Sequence, residues 1–383
     1  MGERRIGIIM NGATGRMGRN QHARLSIDAI RKDGGLELED GTRLVPDPIL
    51  VGRNAAKLQE TGAALGIDKW STDLDAVLSD PSYDIYFDAV PTTARAANLR
   101  RAVAAGKHVY TEKPTAESTS DAHAIYKAAA AGGIKHGVVH DKLWAPGMRR
   151  LRMLLRSGFF GRVLMVRIEG CYWVFEGDLQ PAQRPSWNYR KEAGGGMILD
   201  MMPHYAYMLD AVDGPVTELA CHGETLVDER IDEQGAPYKV TADDTFLAMC
   251  RLRGGAIAQI MSSWCTRIRT EDIIMMHVDG THGSAVVGLR DCWIQRREAT
   301  PRAQWSLDLA QPPDYYADWQ KMPEVLPYKN AFRIQWEKFL RHVAEDAPFP
   351  WTLYEAAGGV QLAELCQDSW ADRRWVNVPH LER

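Results

Sequence analysis

Ile6-Gly7-Ile8-Ile9-Met10-Asn11-Gly12-Ala13-Thr14-Gly15-Arg16-Met17-Gly18 is the stretch that decides the fold. The apolar residues from Ile6 read as a buried strand, the glycines as a turn, and the helical stretch 16–33 follows at once. Glycines here let the backbone approach a pyrophosphate, whose charge then sits on the helix N-terminus. Gly15 and Gly18 keep the spacing of the last two glycines of the dinucleotide-binding fingerprint, while Gly12 stands one residue ahead of the first. A tight turn without a ligand has the same pattern. The strand before it and the helix after it favour nucleotide binding, so Gly12, Ala13, Thr14, Gly15, Arg16, Met17 and Gly18 form the candidate cradle.

Working outward, strands and helices alternate. Ile49–Gly52 leads into helix 55–65, a short unit covers 70–79, and strand 83–90 ends at Pro91-Thr92 before helix 93–105. Strand 108–111 runs into Glu112-Lys113-Pro114, followed by helix 120–131 and strand 135–140. This rhythm predicts an α/β, doubly wound parallel sheet with right-handed crossovers over residues 1–143. After Pro146 the rhythm changes to helix 147–156, a strand at 163–172, a polar-aromatic segment 175–192, helix 197–212 and then strands and turns to Gln295. Residues 144–383 therefore read as an α+β domain with a large, mostly antiparallel open sheet, its C-terminal helices free to pack back on the first domain. At 383 residues, two domains agree with a norm of ~100–200 residues each.

Composition excludes several classes. A net charge of -4 gives no excess positive field for nucleic acid. No apolar run approaches the ~18 residues of a membrane span. Six cysteines without a C-x-x-C pair suit reduced thiols and a cytoplasmic location. His136 and His140 would lie ~13 Å apart on a strand, so no metal site is expected.

The second strand ends Val51-Gly52-Arg53-Asn54, where NAD-preferring sites carry an acid for the ribose hydroxyls. Arg53 offers charge-assisted bonds worth ~1.5–3 kcal/mol to a 2′-phosphate. The expected cofactor is NADP, with NAD the other choice; a solvated surface arginine is the competing reading. Residues 32–48 read as an inserted hairpin or loop. Lys113 follows a parallel strand at its carboxyl end, where open α/β sheets bind ligands and a lysine can exchange a proton with a hydroxyl or ketone. Pro91, Thr92 and Glu112 border the same crevice. Asp200 and His204, after Gly194-Gly195-Gly196, share one face of a helix among apolar neighbours, either as a structural pair or as working groups.

The glycine turn, Glu112-Lys113-Pro114, and the triple glycine with Asp200 and His204, in that order, resemble the glucose–fructose oxidoreductase / inositol dehydrogenase / MocA family over nearly the whole chain. The resemblance implies that Lys113 and His204 work on a reacting hydroxyl, with Asp200 helping to position them. It also implies a sugar or cyclitol substrate and an open sheet that often mediates oligomerisation. Two departures stand out: Tyr207 replaces a frequent aspartate three residues after the histidine, and His140-Asp141-Lys142 replaces a common Asn-x-Arg. His140 and Lys142 are candidates for nicotinamide or substrate contact, or for a local ion pair. Trp173, Arg184, Trp187 and Tyr189 offer aromatic faces and donors to a sugar, or pack against a neighbouring subunit.

The expected function is thus hydride transfer between a nicotinamide cofactor and a hydroxyl or ketone carbon of a sugar, sugar derivative or cyclitol. The alternatives are a redox-neutral glycosidase or lyase using transient oxidation, and a non-catalytic cofactor sensor. A homodimer or homotetramer through the C-terminal sheet is expected.

Overall fold

The computed structural model describes residues 2–324 and 327–383. They divide into two compact units. The first comprises residues 2–144, 329–364 and 380–383, and the second the described residues of 145–328 together with 365–379. The helix Ala331–Glu345 and most of Leu353–Asp372 group with the N-terminal sheet.

The first unit holds β1 (Glu3–Asn11), β2 (Leu36–Glu37), β3 (Arg43–Val51), β4 (Trp70–Ser71), β5 (Ile85–Asp88), β6 (His108–Thr111) and β7 (His136–Val138). They form one sheet in the order β2-β3-β1-β5-β6-β7, with β4 also paired to β3. All pairings are parallel except β2 with β3. The stretch read as an insertion is this β2–β3 hairpin, and β3 begins at Arg43 rather than Ile49.

Sheet alternation explains the two cores. Ile6, Ile8 and Met10 point to one side, where Ile27, Ile30, Trp336, Phe339 and Leu340 cover them. Ile9, Val51, Tyr86 and Val109 point to the other, against Leu99, Ile125 and Leu353. A sheet buried on both faces needs near-continuous apolar strands, which is what β1 and β5 supply. The helix after β1 is wound as a π-helix over Met17–Asp28 before continuing as an α-helix over Ala29–Lys32. From β4 the chain returns across the sheet to β5 beside β1, so the strand order reverses at the carboxyl ends of β1 and β5, the place where doubly wound sheets open a ligand crevice.

The second unit is built on β8 (Val163–Cys171), β9 (Val216–Glu224), the separate hairpin β10 (Glu229–Ile231) and β11 (Pro237–Lys239), β12 (Thr245–Leu252), β13 (Ile257–Ser263), β14 (Met275–Gly280), β15 (Gly283–Val287), β16 (Cys292–Arg296), β17 (Gln320–Lys321) and β18 (Val376–Asn377). Nine of these form a sheet in the order β17-β16-β15-β14-β8-β13-β12-β9-β18. Only β8 and β13 pair in parallel. The hairpin escapes sequence reading because Glu229–Lys239 is polar and pairs outside the large sheet. Among the described residues no helix is long and apolar enough to cross a membrane.

Candidate active site

In the first unit the glycine turn has no room for a side chain at Gly12 or Gly18. Gly12 adopts φ +81°, and a Cβ there would lie 2.7 Å from the Ala89 carbonyl carbon; one on Gly18 would lie 2.2 Å from the Gly12 oxygen. Gly12 N–H donates to Val51 O at 3.0 Å, and Gly15 N–H closes the turn on Gly12 O at 3.0 Å. Gly15 and Arg16 face solvent at the start of the helix. A backbone folded this tightly, beside a helix N-terminus at a switch point, fits a dinucleotide pyrophosphate. A Cβ on Gly52 would stand 3.8 Å from Thr14 Oγ1, which sets the end of β3 beside this turn. The next residue, Arg53, is exposed.

Glu112 and Lys113 follow β6 at the same end of the sheet. The buried Glu112 carboxylate contacts His22 Nε2 at 2.8 Å, and His22 Nδ1 accepts from the Trp336 indole N–H at 3.0 Å. Since the indole only donates, the imidazole proton sits on Nε2 and is given to Glu112. Burial pushes the Glu112 carboxyl up, but His22 and the nearby charges of Lys113 and Arg95 outweigh it and hold the group below its ordinary value. The second Glu112 oxygen accepts from Lys113 N–H at 3.2 Å. Lys113 is half-buried, and the Lys113–Pro114 peptide is cis.

Asp88, at the end of β5, is wholly buried and forms a second cluster. Its Oδ1 accepts from Val90 N–H at 3.0 Å and Arg95 Nε at 3.2 Å, and its Oδ2 from the Tyr86 hydroxyl at 2.5 Å. That hydroxyl accepts from Asn11 Nδ2 at 2.8 Å. Sequence reasoning missed His22, Asp88 and Arg95. An acid ending an otherwise apolar strand was the available signal, because a buried carboxylate needs a cation and Arg95 lies in the first turn of the helix that follows. Pro91 is exposed and Thr92, the first helical residue, is buried beside this cluster. His140 is buried beyond β7, its N–H bonded to Gln335 Oε1 at 2.7 Å. Lys142 pairs with Asp141 at 2.6 Å, the local ion pair weighed from sequence.

In the second unit, Gly194-Gly195-Gly196 packs against residues 187–190. A Cβ on Gly195 would lie 2.4 Å from Trp187 O, and Gly196 N–H donates to Asn188 O at 2.9 Å. The triple glycine thus lets the polar-aromatic segment seat on the start of the helix Met197–Asp213. That helix begins with no side chain of its own as cap. Asp243, unnoticed in the sequence, accepts from Ile198 N–H at 2.7 Å, and burial pushes its carboxyl up to about 6.

Asp200 accepts from Arg184 Nη1 at 2.8 Å. Arg184 also donates to Asn188 Oδ1 at 3.2 Å and the Tyr172 hydroxyl at 3.0 Å, and lies 4.3 Å over the Trp264 ring. His204 Nδ1 meets the Tyr207 hydroxyl at 2.6 Å. The Arg184 charge is paired with Asp200, and the Tyr189 ring is buried between Trp264 and Arg230, 5.2 and 4.1 Å away. Trp187 is exposed and Trp173 half-buried under Arg267, 4.2 Å from its ring.

Residues 6–140 match the oxidoreductase family with an NAD-binding Rossmann fold, and residues 148–286 match the GFO/IDH/MocA C-terminal domain. The chain is 47% identical over 380 residues to a D-xylose dehydrogenase of Paenarthrobacter nicotinovorans, covering 98% of each protein. The chain belongs to the GFO/IDH/MocA oxidoreductase family. Another member, levoglucosan dehydrogenase of Pseudarthrobacter phenanthrenivorans, is 22% identical over 353 residues, 87% of this chain and 90% of that one. A solved levoglucosan dehydrogenase, in complex with NADH and levoglucosan, superimposes with a TM-score of 0.81 at 20% identity over 98% of this chain and all of that one, so the fold is shared. As a family member the chain is an NAD(P)-dependent oxidoreductase acting on sugar CH–OH groups.

Proposed function

We propose that this enzyme oxidises a hydroxyl carbon of a neutral aldose, a pentose such as D-xylose, with NADP preferred over NAD. The observation that carries the chemistry is Lys113, held half-buried at the carboxyl end of β6 in the crevice that the glycine turn opens. The substrate class is supported by the 47% identity to a D-xylose dehydrogenase. It is also supported by the charge balance in the second unit. Arg184 is neutralised by Asp200, and Arg190 lies over Tyr238 at 4.3 Å, which leaves both committed locally rather than to an acidic sugar.

A bound nicotinamide dinucleotide supplies a hydride acceptor. Gly12 to Gly18 hold its pyrophosphate, Pro91 and Thr92 border it, and Arg53 meets a 2′-phosphate. Lys113 is the group taken to remove the hydroxyl proton as the carbonyl forms, and His204 is the second acid–base candidate that the family resemblance implies. Asp200, bound by Arg184, orients that region of the helix. His140, Lys142, Trp173 and Trp187 remain the candidates for contact with the sugar. The location proposed is the cytoplasm, in keeping with six free cysteines.

A panel of aldoses and cyclitols incubated with NADP⁺ or NAD⁺ and followed by NAD(P)H absorbance tests this reading. Stoichiometric cofactor reduction with D-xylose or a close aldopyranose is expected. Product formed without net cofactor reduction would replace it with the redox-neutral glycosidase or lyase, and no turnover across the panel would leave a sensor.

A further inference from the structure

We propose that Arg95 is a positioning residue that fixes the cofactor cradle and Lys113 against each other. The inference rests on the reading of Lys113 as the proton-transfer group, and goes beyond it by naming what holds that group in place.

Arg95 sits on the helix Thr92–Ala104 and is 5% exposed. Its guanidinium joins the end of β5 to the loops after β5 and β6. Nε donates to Asp88 Oδ1 at 3.2 Å, Nη2 to Val90 O at 2.5 Å and Nη1 to Pro114 O at 2.5 Å. Val90 lies one residue before Pro91, and Pro114 one residue after Lys113. From Asp88 the chain of bonds runs through the Tyr86 hydroxyl to Asn11, the residue before Gly12. One buried network therefore ties the loops after β1, β5 and β6, which together line the crevice at the carboxyl ends of the strands.

Lys113 is bracketed by two such anchors. On its amino side, Glu112 is locked by His22 and accepts from the Lys113 N–H; on its carboxyl side, Pro114 O is locked by Arg95. The two anchors act on the backbone on either side of Lys113. Only a planar fork serves both carbonyls and the carboxylate together. A lysine ammonium would still neutralise Asp88 as a point charge but cannot reproduce that geometry. Desolvating a guanidinium and a carboxylate is costly, and a fold that only needed packing here would do as well with apolar residues. The arrangement is better explained by placement, since small displacements of a reacting group are expensive in rate.

The test compares Arg95→Met and Arg95→Lys with the parent enzyme, and with Lys113→Ala in parallel. Melting temperature, NADP⁺ dissociation constant by tryptophan fluorescence, and kcat and KM on the sugar turned over in the panel above are measured. For folded Arg95→Met, kcat should fall about 100-fold, with NADP⁺ binding weakened and sugar KM within about threefold of the parent. Arg95→Lys should lose about tenfold in kcat, and it carries the test if the methionine variant does not fold. Added guanidinium ion, at concentrations that leave the parent unaffected, should restore part of the Arg95→Met rate. Folded variants with kcat and NADP⁺ binding within twofold of the parent would overturn the proposal, as would losses that follow melting temperature alone without guanidinium rescue. Full turnover by Lys113→Ala would instead overturn the catalytic reading, and the effect of Arg95 on NADP⁺ binding would still be scored separately.

Discussion

The Tyr207 hydroxyl lies 2.6 Å from Nδ1 of His204, one turn back along the same helix. Both residues are buried, and the contact engages the imidazole nitrogen nearer the backbone. A hydroxyl can donate to Nδ1 or accept from it, so one partner suits His204 both as acid and as base. Tyr207→Phe removes this partner at a buried nitrogen, a loss of ~1–3 kcal/mol or about 5- to 150-fold. The expected outcome is a fall of that order in kcat with NADP⁺ affinity unchanged. An unchanged kcat would show that the contact does not serve the reaction.

Lys113→Ala and His204→Ala should each lower kcat by about 100- to 10,000-fold, the usual contribution of a general acid–base group. Cofactor binding should survive both changes, because the glycine turn that carries the pyrophosphate touches neither side chain's chemistry. Steady-state kinetics beside fluorescence titration separates the two effects. Near-parental turnover in either variant removes that residue from the mechanism.

Arg53 is exposed at the end of β3, beside Thr14 of the glycine turn, where an acid would repel a 2′-phosphate. Arg53→Ala should weaken NADP⁺ binding by about 10- to 100-fold, the worth of charge-assisted hydrogen bonds, and leave NAD⁺ binding nearly unchanged. Titration of both cofactors against both proteins decides it. A constant NADP⁺ to NAD⁺ ratio would leave Arg53 a solvated surface residue.

Burial lowers His140 from 6.5 to about 3. Below pH 6.5 the unfolded chain takes up a proton there that the folded protein refuses, so stability is lost as pH falls from about 6.5 toward 3 and is fully present above 6.5. At pH 4.5 this amounts to ~3 kcal/mol. His140→Gln should therefore lose less melting temperature than the parent between pH 7 and pH 4.5. Equal losses would mean that other groups dominate acid sensitivity.

Much of the first unit was legible because strand and helix periodicities follow directly from burial, as in Ile6–Met10 and the alanine-rich stretch before Gly106. The π-wound start of the first helix and the hairpin before β3 were not, since neither leaves a periodic signal. Lys113, Asp200 and His204 stood out through motif spacing. Their supporting residues did not, because His22, Arg95 and Asp243 come from other parts of the chain and meet their partners only in the folded sheet and loops. Arg184 illustrates the difference: beside Trp187 and Tyr189 it reads as a sugar donor, yet its charge is taken up by Asp200, sixteen positions on.

The large sheet of the second unit carries its own expectation about assembly. Its inner face is closed by buried residues such as Phe246, Ala248, Cys250, Ala258 and Ile260. Alternation then sends Leu247, Met249 and Ile257 outward, and they are 47%, 53% and 50% exposed. The pairing register sets Leu247 opposite Met261, Met249 opposite Gln259 and Ile257 opposite Met165, so these apolar side chains share the outer face of β12, β13 and β8 with Gln259, Arg167 and Arg251. Large apolar side chains gathered on an exposed face mark an interaction surface, and an isologous contact lets the same face cover itself in a second copy. Light scattering at micromolar concentration should give a mass of two or four times the 42.9 kDa chain. Leu247→Glu with Met249→Lys should shift it toward the single-chain mass without unfolding the inner core, because neither side chain points inward. A parent protein that already runs at the single-chain mass would show that Leu247, Met249 and Ile257 are tolerated in water and that the sheet face is no interface.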